Sequence, residues 1–230
     1  MGEMSEIVLL SDPRILELRV EECGESLVDL RGAGVLRIDP RLADPAGAFA
    51  HLRSSVAGRL VAAQTLLPRE LRLLVVEGYR PPALQEQYFS ESVEELRVLH
   101  PDWSAVRLRR EAGRYISPPE VAPHVAGAAV DVTLCTDAGT ELMMGTEVNA
   151  TPTGPDGACY TASPDISREA MDNRHILITA LTAVGLVNYP TEWWHWSYGD
   201  RYWAFIAGAP HAIYGLSGGP SLNGESAPAG

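Results

Sequence analysis

His124-Val125-Ala126-Gly127-Ala128-Ala129-Val130-Asp131 joins a histidine to an aspartate through one glycine and a run of small apolar residues. Its second half alternates. Ala128, Val130, Val132 and Leu134 fall on one side of an extended chain, and Ala129, Asp131 and Thr133 fall on the other. This predicts a strand over 128–134 with Asp131 set between apolar neighbours. A carboxylate in that position is costly unless it is paired or bound to a cation. His124 and Asp131 have opposite parity, so a straight strand would aim them apart. Gly127 permits a turn or bulge that brings both to one point. Taken alone, the stretch also fits a loop histidine followed by an aspartate bonded to nearby backbone.

Outward from this strand the periodicity predicts a mixed chain. Leu52, Val56, Leu60, Val61 and Leu66 have helical spacing, so 48–67 is expected to be a helix closed by Pro68. Leu71 to Val76 is a short apolar run that suits a buried strand. Pro81 and Pro82 open a helix over 82–99, and 104–111 is a shorter one. Ile176, Leu177, Ala180, Leu181 and Val184 give the stripe of a helix over 167–184, with Gly185 as its stop. The aromatic-rich segments 193–198 and 202–207 are expected to be extended. Helices gather early and the strands carrying polar residues come later, so the fold class is α+β.

The chain has 230 residues, enough for one domain with its own core. Residues 1–216 are expected to form it, with a loose Gly/Ser/Pro/Ala-rich tail over 217–230. A net charge of −12 argues against nucleic acid as a partner, because a phosphate backbone needs a basic face. No apolar run is long enough for a membrane-spanning helix. The first residues lack the basic and apolar regions of a secretory signal. Cys23, Cys135 and Cys159 are odd in number and far apart, which suits a reducing, cytoplasmic location. No feature of the sequence specifies an oligomeric state.

Two further motifs carry chemistry. In Glu192-Trp193-Trp194-His195 a carboxylate stands three residues before an imidazole. A zinc hydrolase needs that pair: a ring nitrogen on the metal, and a base outside the ligand set that takes a proton from water. Trp193 and Trp194 would wall the pocket and lower its dielectric. The same four residues also fit an aromatic core strand with a structural histidine. In Glu77-Gly78-Tyr79-Arg80-Pro81-Pro82 the guanidinium follows an apolar strand and precedes a proline stop. A cation fixed in that way suits an oxyanion or a substrate carboxylate. It also fits an Arg80–Glu77 pair that holds the turn.

Together and in this order, the motifs resemble the D-alanyl-D-alanine dipeptidase family of zinc metallopeptidases, which includes the vancomycin-resistance dipeptidases. The S-x-H-x-x-G-x-A-x-D pattern of that family appears as Ala122-Pro123-His124 through Asp131, E-x-W-H as Glu192 to His195, and Y-R-P as Tyr79-Arg80-Pro81. The resemblance spans about 45–207. It implies a hedgehog/D,D-peptidase-like fold: a small, mostly antiparallel sheet with flanking helices and a zinc site on the sheet. It implies one Zn2+ held by His124, Asp131 and His195, with Glu192 as general base and Arg80 as oxyanion stabiliser. A small dipeptide would be the substrate, in a site closed by Tyr79, Trp193 and Trp194.

Two positions depart from the family pattern. Ala122 stands where the family has serine. Asn149 stands where, as aligned, an aspartate helps bind the free ammonium of the dipeptide. An asparagine accepts a hydrogen bond but cannot pair a charge, and Glu147 is the candidate substitute. Two alternatives to a D-Ala-D-Ala dipeptidase therefore stand: a relative retuned for a different small peptide or amide, and a zinc-stabilised binding module without turnover. The presence of both Glu192 and Arg80 argues against the latter, because a structural zinc needs neither.

Overall fold

The computed structural model describes residues 7–114, 116–150 and 157–219. In chain order its elements are helix α1 (Pro13–Leu16), strands β1 (Leu27–Asp29), β2 (Arg37–Ile38) and β3 (His51–Arg53), helix α2 (Ser54–Gln64), strand β4 (Leu71–Glu77), helices α3 (Pro82–Leu99) and α4 (Ala105–Ala112), strand β5 (Ala129–Thr136), helix α5 (Arg168–Ala183), strands β6 (Val187–Asn188) and β7 (His195–Ser197), and helix α6 (Arg201–Ala207). β1 and β3 form a two-stranded antiparallel sheet. The main sheet has the order β2-β4-β5-β7-β6, and all its pairings are antiparallel except β2 with β4. The class is α+β, as expected.

The alternation read from β5 decides what each face does. Val130, Val132 and Leu134 enter the core with Leu60 from α2 and Leu177 and Leu181 from α5. Asp131 points to the opposite face, where the register lines it up between two strands. Its Cα partners are Glu77 on β4 and His195 on β7. Three polar side chains distant in sequence thus form one row across the sheet, each fully or nearly buried. The ladder shifts between Val75 and Glu77, a bulge at the end of β4 that sits beside the row.

Two expectations are corrected. The stretch 48–67 is not one helix. Ala48–Ala50 is a single 3-10 turn, His51–Arg53 is β3, and only Ser54–Gln64 is α-helical. Tertiary bonds override the periodicity here: the carbonyls of Phe49 and His51 accept from the N–H groups of Gly78 and Tyr79, at 2.6 and 2.7 Å. A continuous helix would have spent those carbonyls internally. Glu25 then starts α2 by accepting from the hydroxyls of Ser54 and Ser55 and from the Ser55 N–H. The second correction is 202–207, which is helix α6 rather than extended. Asp200 caps it by accepting from the Trp203 N–H at 2.9 Å, and Gly208 ends it in the left-handed region at φ 65°. Buried Tyr202 with Phe205 beside it has helical, not alternating, spacing.

The short strands β1, β2 and β3 were not apparent in the sequence, since two or three residues carry no period. The expected tail begins with ordered contacts. The Ser217 N–H donates to Val125 O at 3.0 Å, and Ser217 O accepts from the Tyr79 hydroxyl at 2.9 Å. Residues 220–230 lie outside the described residues.

Candidate metal centre and active site

His124 is not part of β5. It lies in a 3-10 turn over Pro123–Ala126, which Gly127 ends at φ 66°. The glycine solves the parity problem: the chain reverses through the left-handed region before the strand begins, so His124 returns over Asp131. The Nδ1–H of His124 donates to Gly78 O at 2.7 Å. A carbonyl can only accept, so the proton is on Nδ1 and the Nε2 lone pair is free. His195 is delivered by β7 from the other side and presents Nδ1.

The three donor atoms converge. His124 Nε2 to His195 Nδ1 is 3.2 Å, His195 Nδ1 to Asp131 Oδ1 is 3.1 Å, and His124 Nε2 to Asp131 Oδ1 is 3.3 Å. Ligand bonds of about 2.0–2.1 Å in tetrahedral geometry put ligand atoms ~3.3 Å apart. The triangle therefore has the edge lengths of three corners of a zinc tetrahedron. Two imidazoles and one carboxylate are also the donor types zinc prefers, and three protein ligands leave a fourth position open. The trio is buried. Burial by itself raises the proton affinity of Asp131, but the facing imidazoles outweigh it and hold the carboxyl well below the usual carboxylate range. The Nε2 of His195 is buried with no hydrogen-bond partner among the described residues.

Glu192 and Arg80 stand beside this cluster, and all five side chains line one cavity of about 520 Å3. Glu192 Oε2 is 3.9 Å from His195 Nδ1, near the cluster but outside the close triangle. Burial pushes Glu192 up to about 7, with the Asp131 charge adding to the effect and His195 and Arg80 opposing it. Arg80 is held in a bidentate pair with Glu77, Nε to Oε1 at 2.8 Å and Nη2 to Oε2. The Arg80–Glu77 pair foreseen as an alternative is therefore present, and its guanidinium still faces the cavity.

The expected substrate-side residues divide. Trp194, Asn149 and Ala122 are on the cavity wall. Asn149 adopts φ 64°, and among the described residues no other non-glycine residue has a positive φ. Tyr79 and Trp193 are buried but not on the wall. Tyr79 reaches Ser217 instead, and Trp193 donates from Nε1 to Thr146 Oγ1 at 2.8 Å. Trp193 and Trp194 lie in the turn that the His195 N–H to Glu192 O bond closes before β7, their rings stand nearly perpendicular at 87°, and only Trp194 lines the cavity. Glu147 is exposed and also absent from the wall. Gln85 and Tyr88, which belong to none of the three motifs, also line the cavity from the start of α3. Their signal was position: both fall in the turns that follow the Tyr79-Arg80-Pro81 motif.

A cavity holding three convergent metal-ligand atoms, a separate carboxylate and a fixed guanidinium defines the class, a metal-dependent hydrolase. The sequence matches the peptidase M15 family, D-ala-D-ala dipeptidase, over residues 42–208, and the chain belongs to that family. It is a zinc metallopeptidase. A curated relative, the D-alanyl-D-alanine dipeptidase of Synechocystis sp., is 27% identical, over 83% of this chain and 88% of its own length. Similar solved structures include VanYB in complex with D-alanine-D-alanine, at 16% identity and TM-score 0.40 over 72% of this chain and 82% of that one. The LdcB LD-carboxypeptidase is another, at 17% and 0.44 over 81% and 73%.

Gly78 offers a local test of how the centre is built. A Cβ there would lie 2.4 Å from His51 O and 3.1 Å from Phe49 O, both backbone atoms. Gly78→Ala is expected to cost about 1–3 kcal/mol of stability. It should also weaken zinc binding, because Gly78 O orients His124. Thermal unfolding and zinc titration check this, and unchanged zinc affinity would contradict the orienting role.

Proposed function

We propose that the chain is a zinc-dependent dipeptidase that cleaves D-alanyl-D-alanine or a closely related D-residue dipeptide, in the cytoplasm, as part of cell-wall dipeptide turnover. His124 Nε2, Asp131 Oδ1 and His195 Nδ1 hold the metal. A bound zinc ion supplies Lewis acidity and lowers the pKa of water at its open position. Glu192 takes the proton of the attacking water on Oε2 and passes it to the leaving amine nitrogen. Arg80 donates to the oxyanion that forms on the scissile carbonyl. The observation that carries this reading is the placement of Glu192: in the same cavity, near the donor triangle yet outside it. No helix among the described residues is long and apolar enough to cross a membrane. The three cysteines are free, which supports the cytoplasmic assignment.

The test is kinetic. Alanine release from D-Ala-D-Ala is expected to exceed that from the L,D-, D,L- and L,L-dipeptides at least about tenfold in kcat/KM, a difference of ~1.4 kcal/mol in transition-state binding. Equal rates across the panel would reject the substrate assignment. One observation favours a retuned relative: the wall carries Asn149 where the family resemblance implies a carboxylate, and Glu147 does not reach it. Adding N-acetyl-D-Ala-D-Ala separates the two readings. A site that pairs the substrate ammonium loses activity on the acetylated form, and a retuned site keeps it.

A further inference from the structure

Arg80 is anchored at more than one point. Its Nε and Nη2 are taken by Glu77, and its Nη1 donates to Gln85 Oε1 at 2.7 Å. The Tyr88 ring lies 5.2 Å from the guanidinium carbon. A guanidinium has five N–H donors in a rigid fork. Glu77 and Gln85 use three of them, which leaves one hydrogen on each Nη. Glu77 holds the Nε/Nη2 edge of this rigid group, and Gln85 adds a third point, at Nη1, that opposes tilting of the plane about that edge.

Gln85 has a second bond. Its Nε2 donates to Ser117 O at 2.8 Å, on the segment leading into the His124 turn, and the side chain is 1% exposed. The Arg80 N–H in turn donates to His124 O at 3.2 Å. The amide thus ties together the Arg80 turn, the first turns of α3 and the approach to a metal-ligand residue. Gln85 and Phe89 are the two buried residues of α3, and because both ends of the Gln85 amide are bonded its burial is compensated; losing either partner would leave a buried polar group unpaired.

We propose that Gln85 is a positioning residue for catalysis: it locks the Arg80 guanidinium so that its free N–H groups meet the developing oxyanion, and it holds Arg80 in register with the metal centre. The inference rests on the oxyanion role given to Arg80 above. Both ends of the Gln85 amide are committed to Arg80 and Ser117, and Gln85 is not one of the three metal-donor residues, so it acts through Arg80. Its effect falls on the transition state, where small displacements of a donor matter most.

The test is a double-mutant cycle on the zinc-loaded enzyme with D-Ala-D-Ala, using Gln85→Leu, Arg80→Lys and the double variant, with zinc content and Tm recorded for each. Gln85→Leu is expected to lower kcat roughly 10- to 100-fold with KM within about threefold and zinc content unchanged. In the Arg80→Lys background, where the bidentate fork is already gone, the same change should lower kcat by less than about threefold. Gln85→Glu keeps an acceptor for Arg80 and gives up the donor to Ser117, so it should retain most of the activity lost in Gln85→Leu. Equal losses in both backgrounds would overturn the proposal, as would a change confined to KM, or a Gln85→Glu variant as slow as Gln85→Leu. A Gln85→Leu variant with normal kcat would also overturn it. Should Arg80→Lys have wild-type kcat, it is the role of Arg80 that fails. Should Arg80→Lys be slow while Gln85→Leu is normal, only the positioning role fails.

Discussion

Glu192→Ala is expected to abolish dipeptide hydrolysis while leaving zinc content unchanged. The carboxylate sits beside the donor triangle and not in it: the three ligand atoms are 3.1 to 3.3 Å apart, whereas Glu192 Oε2 is 3.9 Å from His195 Nδ1. Removing it deletes a proton carrier and leaves the three ligands and the His124–Gly78 bond in place. General acid–base groups contribute about 10²- to 10⁴-fold, so kcat should fall by at least 10²-fold. Burial, which pushes Glu192 up to about 7, gives it a proton affinity suited to accepting and returning a proton near neutrality. Metal analysis and D-alanine release on the same sample decide the matter. Loss of zinc with loss of activity would make Glu192 a ligand and reverse its role.

Asp131→Ala is expected to do the opposite: zinc binding and activity disappear together. Asp131 is the only anion in the triangle, is 2% exposed, and faces both imidazoles. Its removal leaves two ring nitrogens 3.2 Å apart with no carboxylate between them. Breaking a buried charged cluster by deleting one partner costs about 3–5 kcal/mol. The variant also forgoes ligand-linked stabilisation, which for the wild type reaches about 4 kcal/mol at a thousandfold excess of metal over Kd. Chelation of the wild type should therefore lower its Tm, and chelation of Asp131→Ala should not move it. A variant that still binds zinc stoichiometrically would show that the metal sits elsewhere.

The candidate site was more legible in the sequence than the chain's early architecture, and the reasons are physical. The strand at β5 could be read because alternation over seven residues leaves few other conformations, and because an aspartate inside it demanded a partner. The long helices α3 and α5 carried enough turns for their period to show, and Pro82 and Gly185 marked ends. The segment 48–53 departs from the expected helix because its apolar spacing is helical while the carbonyls of Phe49 and His51 are claimed by Gly78 and Tyr79, which no local pattern records. α6 departs from the expected extended segment because its aromatic content suits a strand while Asp200 and Gly208 cap a helix. At the site, the ligand set could be proposed from residue type and order. The direction of Trp193, the exposure of Glu147 and the anchoring of Arg80 by Gln85 depend on how α3 and the 144–150 loop pack, and that is not written in spacing.

A crystal structure of the zinc-loaded protein, with anomalous scattering recorded at the zinc edge, bears most directly on the arrangement described. One peak is expected, bonded to His124 Nε2, Asp131 Oδ1 and His195 Nδ1 at about 2.0–2.2 Å, with Glu192 outside the coordination sphere and solvent at the fourth corner. A zinc peak away from these three atoms, or one with Glu192 bound in place of any of them, would contradict it.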